Sequence, residues 1–263
     1  MNFTYPVIRN EILKYKVKLH VKKTFFLRNF NIKSYFRKRL HFIHIGRTAG
    51  SSIRYCLIRF NILQKKYYFN YYGHSFKLYH LGKKGTYFFT IRNPINRFVS
   101  GFNDRKNRAE FETITDPKKI SKYKISIEEQ ESFQTFSNAN HLAESIYSKV
   151  SDVQSKAVIA MNNIKHINDP YTSYFNKDDL MARKPFFVME AEKLEEDFFN
   201  FCEKLELKKI DLPIDNILKH KSKDFDNKKL SKTATLNLKS WYKKDFDFYN
   251  FVITNKNFYN KMQ

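Results

Sequence analysis

Short apolar runs followed by helical periodicity recur along the chain. Residues 41–45 are β-prone and are stopped by Gly46 and Gly50; residues 51–63 follow, with Ile53, Leu57 and Ile58 at helical spacing. A second β-prone run, Thr86–Ile91, leads into Arg92-Asn93-Pro94, where Pro94 suits the first turn of a helix reaching about Asn103. Residues 186–190 predict a third strand, ahead of Leu194, Phe198, Phe201, Cys202 and Leu205 at helical spacing. Phe246, Tyr249 and Phe251 predict a terminal helix. Between the second and third strands, residues 109–184 read as loop plus mostly helices, including residues 138–149 and 153–163. Strands alternating with helices predict an α/β fold built on a mainly parallel central sheet.

Composition narrows the class. The 263 residues, 42% hydrophobic and 17% aromatic, suit one large domain with a sizeable core. Two cysteines, Cys56 and Cys202, exclude a disulfide-stapled scaffold and a four-cysteine zinc site. No stretch approaches the ~18 consecutive apolar residues of a membrane span, and residues 1–40 lack the apolar core of a secretory signal. A cytoplasmic location is the expectation.

The net charge of +23 is uneven: residues 1–40 hold eleven Lys or Arg and one acid, Glu11, which supplies +10. This basic segment, with Phe25, Phe26, Leu27 and Phe30 among its cations, suggests peripheral contact with a membrane surface, ahead of a domain over residues 41–263. A basic protein also invites nucleic acid. The chain's richness in Lys, Asn, Ile, Phe and Tyr is equally what AT-rich codons produce, so the total charge names no partner.

The loop Gly46-Arg47-Thr48-Ala49-Gly50-Ser51-Ser52 lies between a strand and a helix, where backbone N–H groups converge on one point. Arg47 adds a fixed charge, and Thr48, Ser51 and Ser52 add hydroxyls. Phosphate or sulfate is the natural guest. The loop is not a Walker A motif: three residues separate the glycines and no Lys precedes Ser51.

The run His41-Phe-Ile-His-Ile-Gly-Arg-Thr-Ala-Gly-Ser-Ser-Ile-Arg54 resembles the phosphosulfate-binding loop of glycan sulfotransferases, written F-I-H-I-P-K-T-A-G-T-S. Phe89-Thr-Ile-Arg-Asn-Pro-Ile-Asn-Arg-Phe-Val-Ser100 resembles their second motif, R-D-P-x-x-R-x-x-S. The two stand in the family's order, and Gly73-His74 lies between them, where the family's candidate catalytic histidine often falls. Weaker likeness continues over residues 188–198 and 241–249. The resemblance implies a P-loop-like three-layer fold, with a central mainly parallel sheet flanked by helices. It also implies a bacterial or viral type of enzyme that moves a sulfuryl group from 3′-phosphoadenosine-5′-phosphosulfate to a carbohydrate or glycolipid hydroxyl, with no metal. Arg47, Thr48, Ala49, Gly50, Ser51 and Ser52 would then cradle the 5′-phosphosulfate, Arg92 and Ser100 the 3′-phosphate, and His74 would serve as base.

Four positions depart from the family pattern: Gly46 for Pro, Arg47 for Lys, Ser51 for Thr and Asn93 for Asp. Arg47 keeps the charge but does not readily release a proton. Two other readings stand beside the enzyme: an inactive nucleotide- or anion-binding relative, and a nucleic-acid-binding protein, the less expected of the two. Arg54 and Arg97 read as donor contacts or as helix-surface ion-pair partners, the second being preferred, and the carboxylates on the helix among Glu190, Glu192, Glu195 and Glu196 as helix-start electrostatics. His44 reads as orienting the loop, His141 and His166 as acceptor contacts or surface positions, and Cys56 as core.

Overall fold

A computed structural model describes residues 37–114, 125–175, 177–208, 210–213 and 229–261. The basic N-terminal segment lies outside the described residues except for residues 37–40. Four strands, β1 (Lys38–Ile43), β2 (Tyr67–Tyr71), β3 (Thr86–Ile91) and β4 (Phe187–Glu190), form one all-parallel sheet in the order β2-β1-β3-β4. Register places Phe42 opposite Phe88, and Phe88 opposite Phe187.

Parallel strands joined by crossovers need a helix on each face, so both faces of these strands must be apolar. On one face Leu40, Phe42, Phe88, Phe187 and Met189 pack against α1 (Gly50–Leu63) through Ile53, Cys56, Leu57 and Phe60. The same face meets α7 (Leu194–Lys204) through Phe198, Phe201 and Cys202. The other face, Ile43, Tyr87, Phe89, Ile91 and Val188, packs on Tyr171, Phe175, Leu180 and the terminal helix α9 (Lys243–Lys261). The result is the α/β fold with a parallel central sheet predicted by the alternation of runs, in the three-layer form that the resemblance implies.

A second core is wholly helical. Phe98 and Phe102 on α2 (Pro94–Ile114) meet α3 (Ile127–Thr135), α4 (Ala139–Ser145), α5 (Ser151–Asn163) and α8 (Lys232–Trp241), whereas α6 (Lys177–Ala182) joins the sheet core through Leu180. Among the described residues no helix is long and apolar enough to cross a membrane.

Several boundaries differ from expectation. Helix α2 runs eleven residues past Asn103, to Ile114, through a polar stretch without apolar periodicity. One reason is that Arg105 points inward: its Nε donates to Glu129 Oε1 at 2.7 Å, and both residues are buried. Glu129 also accepts from the Lys165 N–H at 3.0 Å and closes a capping box with Ser126, so its burial is fully compensated. Strand β2 is absent from the predicted strands, and α8 buries only Ala234 and Leu238, too narrow a stripe to stand out. Helix α4 stops at Ser145, short of Lys149, with Asn138 capping its start.

Candidate active site

The chain leaves β1 for β2 on one side and later enters β3 on the other side of β1. The loops after β1 and β3 therefore adjoin at the carboxyl edge of the sheet, where open α/β sheets bind ligands. Arg47 and Ala49 in the first loop both have φ 66°, a left-handed conformation that non-glycine residues adopt at a cost of ~1–2 kcal/mol each. Thr48 anchors the strained turn. It is fully buried, its Oγ1 donates to the Ile45 carbonyl at 3.0 Å, and it pairs with Thr90 Oγ1 at 2.8 Å. Its hydroxyl thus faces the protein, and its backbone N–H is what it can offer an anion.

Helix α1 begins at Gly50 with no side-chain cap and no acidic residue in its first turn. By contrast Ser126, Asn138 and Ser231 cap α3, α4 and α8. The first N–H groups of a helix have no partner within it, so the start of α1 is a site of positive potential suited to an anion.

The Arg47 guanidinium reaches across to α2. Its Nε and Nη2 donate to Ser100 Oγ at 3.2 and 3.0 Å, and Nη1 lies 2.9 Å from Asp104 Oδ1. Burial pushes its pKa down and Asp104 opposes that shift; the group stays charged. Arg92 comes from the second loop, and its Nη1 donates to the Arg47 carbonyl at 3.2 Å. Arg92 Nε is buried without a hydrogen-bond partner, 3.8 Å from Glu192 Oε1. Two cationic side chains, one from each loop, therefore meet at the carboxyl edge of the sheet.

Three imidazoles pack around the loop. His44 and His74 have ring centroids 4.2 Å apart, and His74 and His166 5.1 Å. A Cβ on Gly50 would lie 1.9 Å from His44 Nε2, and one on Gly46 would lie 2.9 Å from His166 Nδ1. No glycine in the described residues has positive φ, so these two serve by making room for imidazoles. His74 Nδ1 lies 3.2 Å from the His44 carbonyl, which only accepts, so Nδ1 carries the proton and Nε2 keeps a lone pair.

Burial lowers all three imidazole pKa values. His44 and His166 are each held at about 3, with His74 lowering both further. For His74 the hydrogen bond to the His44 carbonyl and the charge of Asp169 oppose the shift. Depressed folded values mean that the unfolded chain binds more protons below pH 6.5, so stability is complete above that pH and declines as pH falls. Each of His44 and His166 should remove about 1.4 kcal/mol per pH unit, or about 2 kcal/mol between pH 7 and 5. Urea unfolding at the two pH values measures this; equal free energies would mean that these imidazoles titrate normally in the folded protein.

The residues singled out from the sequence divide in position. Arg47, Thr48, Ala49, Gly50, Ser52, Arg92, Ser100 and His74 gather at the two loops, whereas the Ser51 side chain is exposed on the first turn of α1. Arg97 is not a surface ion-pair partner. It is 3% exposed, donates from Nε to the Gly46 carbonyl at 3.0 Å, and pairs with buried Asp245 at 3.5 Å, which braces the loop from beneath. Arg54 lies 4.7 Å above the Tyr71 ring. Glu192 does more than favour a helix start: it accepts from the Asn93 N–H at 3.2 Å and from Asn96 Nδ2 at 2.8 Å. Glu190 accepts from Tyr249 Oη at 2.9 Å, and Cys56 is buried in the core. His166 leaves the helical section with φ 72° to join the cluster.

Sequence reasoning missed Asp104 and Asp169. The one signal for Asp104 was its position four residues after Ser100, hence on the same helix face. Asp169 carried none. Among the described residues no three or more His, Cys, Asp or Glu side chains are arranged to hold a metal ion.

A family model described as the sulfotransferase family matches residues 31–252. No curated protein and no solved structure matches the chain.

Proposed function

The chain belongs to the sulfotransferase family, and from that premise we propose that it transfers a sulfuryl group from 3′-phosphoadenosine-5′-phosphosulfate to a hydroxyl of a carbohydrate or glycolipid acceptor. The observation that carries the donor assignment is the contact of the two cationic loops, Arg92 Nη1 donating to the Arg47 carbonyl at 3.2 Å. A nucleotide charged at both ends needs two such sites side by side. The start of α1, which has no side-chain cap, and the second cationic side chain, Arg92, fit that need.

The donor supplies an activated sulfuryl group, and sulfuryl transfer, by analogy with phosphoryl transfer, depends on positioning and charge stabilisation. The backbone of residues 48–52 and Arg47 would hold the 5′-phosphosulfate, with Arg47 stabilising charge that develops on the departing phosphate. Arg92 and Ser100 would hold the 3′-phosphate. Ser100 Oγ accepts from Arg47 and retains its own proton to donate to a phosphate oxygen. His74, neutral near pH 7 because burial lowers its pKa, would take the acceptor hydroxyl's proton at Nε2.

Calorimetry with 3′-phosphoadenosine-5′-phosphate against AMP and ATP tests the donor. The doubly phosphorylated adenosine is expected to bind at least tenfold tighter than either; equal affinities would overturn the assignment. Transfer of radiolabelled sulfate to a glycan panel tests the reaction, and tight donor binding without transfer would identify a binding relative instead.

A further inference from the structure

Asp104 sits one turn beyond Ser100 on α2, and its side chain is 10% exposed. Its Oδ1 lies 2.9 Å from Arg47 Nη1 and accepts from Arg108 Nη2 at 3.2 Å, while Oδ2 lies 2.9 Å from Arg108 Nε. The two arginines hold its carboxyl below the usual carboxylate range in spite of burial, so it is ionised. The five N–H hydrogens of Arg47 are thereby divided: two go to Ser100, one is directed to Asp104, and two remain for an anion.

By charge alone, a carboxylate in this position opposes an incoming phosphosulfate. Its benefit must lie elsewhere, and the geometry supplies it. An arginine side chain is long and flexible, and a guanidinium that must reorient during the reaction stabilises developing charge less than one already in place. We propose that Asp104 is a positioning residue for sulfuryl transfer, clamping the far side of the Arg47 guanidinium so that its two remaining N–H groups stay directed at the donor. The proposal rests on the sulfuryl-transfer reading, because the clamp has catalytic meaning only if Arg47 contacts the transferring group.

Three measurements on Asp104→Ala test it. Modification of Arg47 by phenylglyoxal, followed by mass spectrometry in the absence of nucleotide, should become at least fivefold faster once the clamp is removed. Affinity for 3′-phosphoadenosine-5′-phosphate should stay within threefold of wild type or tighten, while kcat falls about tenfold or more. An unchanged modification rate, or an unchanged kcat despite faster modification, overturns the proposal. So does a parallel loss of affinity and kcat, the mark of general loosening. Asp104→Asn keeps the side chain's shape and carries the same readouts if the alanine variant does not fold. A wild-type protein that ignores the nucleotide would instead defeat the donor reading, while the modification rate would still report whether Asp104 holds Arg47.

Discussion

Arg47→Ala is expected to lower turnover by at least 100-fold and to weaken binding of 3′-phosphoadenosine-5′-phosphate, with the fold intact. Removing one preorganised donor aimed at developing charge typically costs ~10²–10³ in kcat. Here the residue also supplies fixed positive charge at the loop, 13% exposed and bound to Ser100 and Asp104. The fold should survive because the Arg47 guanidinium bonds to the polar side chains of Ser100 and Asp104 and not to the core. Without it Asp104 keeps Arg108, and Thr48 keeps the turn anchored to Ile45 and Thr90. Steady-state kinetics, calorimetry and a thermal melt measure the three quantities. Wild-type turnover in a folded Arg47→Ala protein would remove Arg47 from the site.

His74→Ala should reduce kcat by ~10²–10⁴-fold while leaving nucleotide affinity nearly unchanged, since a base acts on the acceptor hydroxyl and not on the donor's phosphates. The pH profile adds a separate check. The base form is the neutral imidazole, and burial holds its pKa below 6.5, so the acid limb of kcat should fall below pH 6.5 and vanish in the variant. The other two imidazoles at the loop, His44 and His166, stay neutral to about pH 3 and cannot produce a limb in that window. Equal activity of His74→Ala and wild type would reject the assignment.

The parts of this site that could be read along the chain are those whose signals are local. The runs that became β1 and β3 are apolar because both faces of a parallel strand are covered, and each is followed by residues that can only be a turn and a helix start: Gly46 to Ser52, and Asn93-Pro94. The order of the two motifs places both turns at one sheet edge whenever the strands are parallel neighbours. Local reasoning misjudged Arg97, because an arginine buried on the Gly46 carbonyl and Asp245 has the same sequence signature as one on a helix surface. It underestimated Glu192 for the same cause, since a carboxylate's partner on a distant helix leaves no trace in its own segment.

The sequence by itself determined the α/β class, the turns after the two apolar runs and the charge they carry, because hydrophobic period and turn chemistry are properties of neighbours along the chain. Only the tertiary structure decided that three imidazoles from separate segments close around the first of those turns and that Asp104 grips Arg47. It also turned the Thr48 hydroxyl toward Ile45 and Thr90, away from any anion. Such contacts join residues as far apart as His74 and His166. They form where packing brings their backbones together, and a one-dimensional pattern holds no record of that distance.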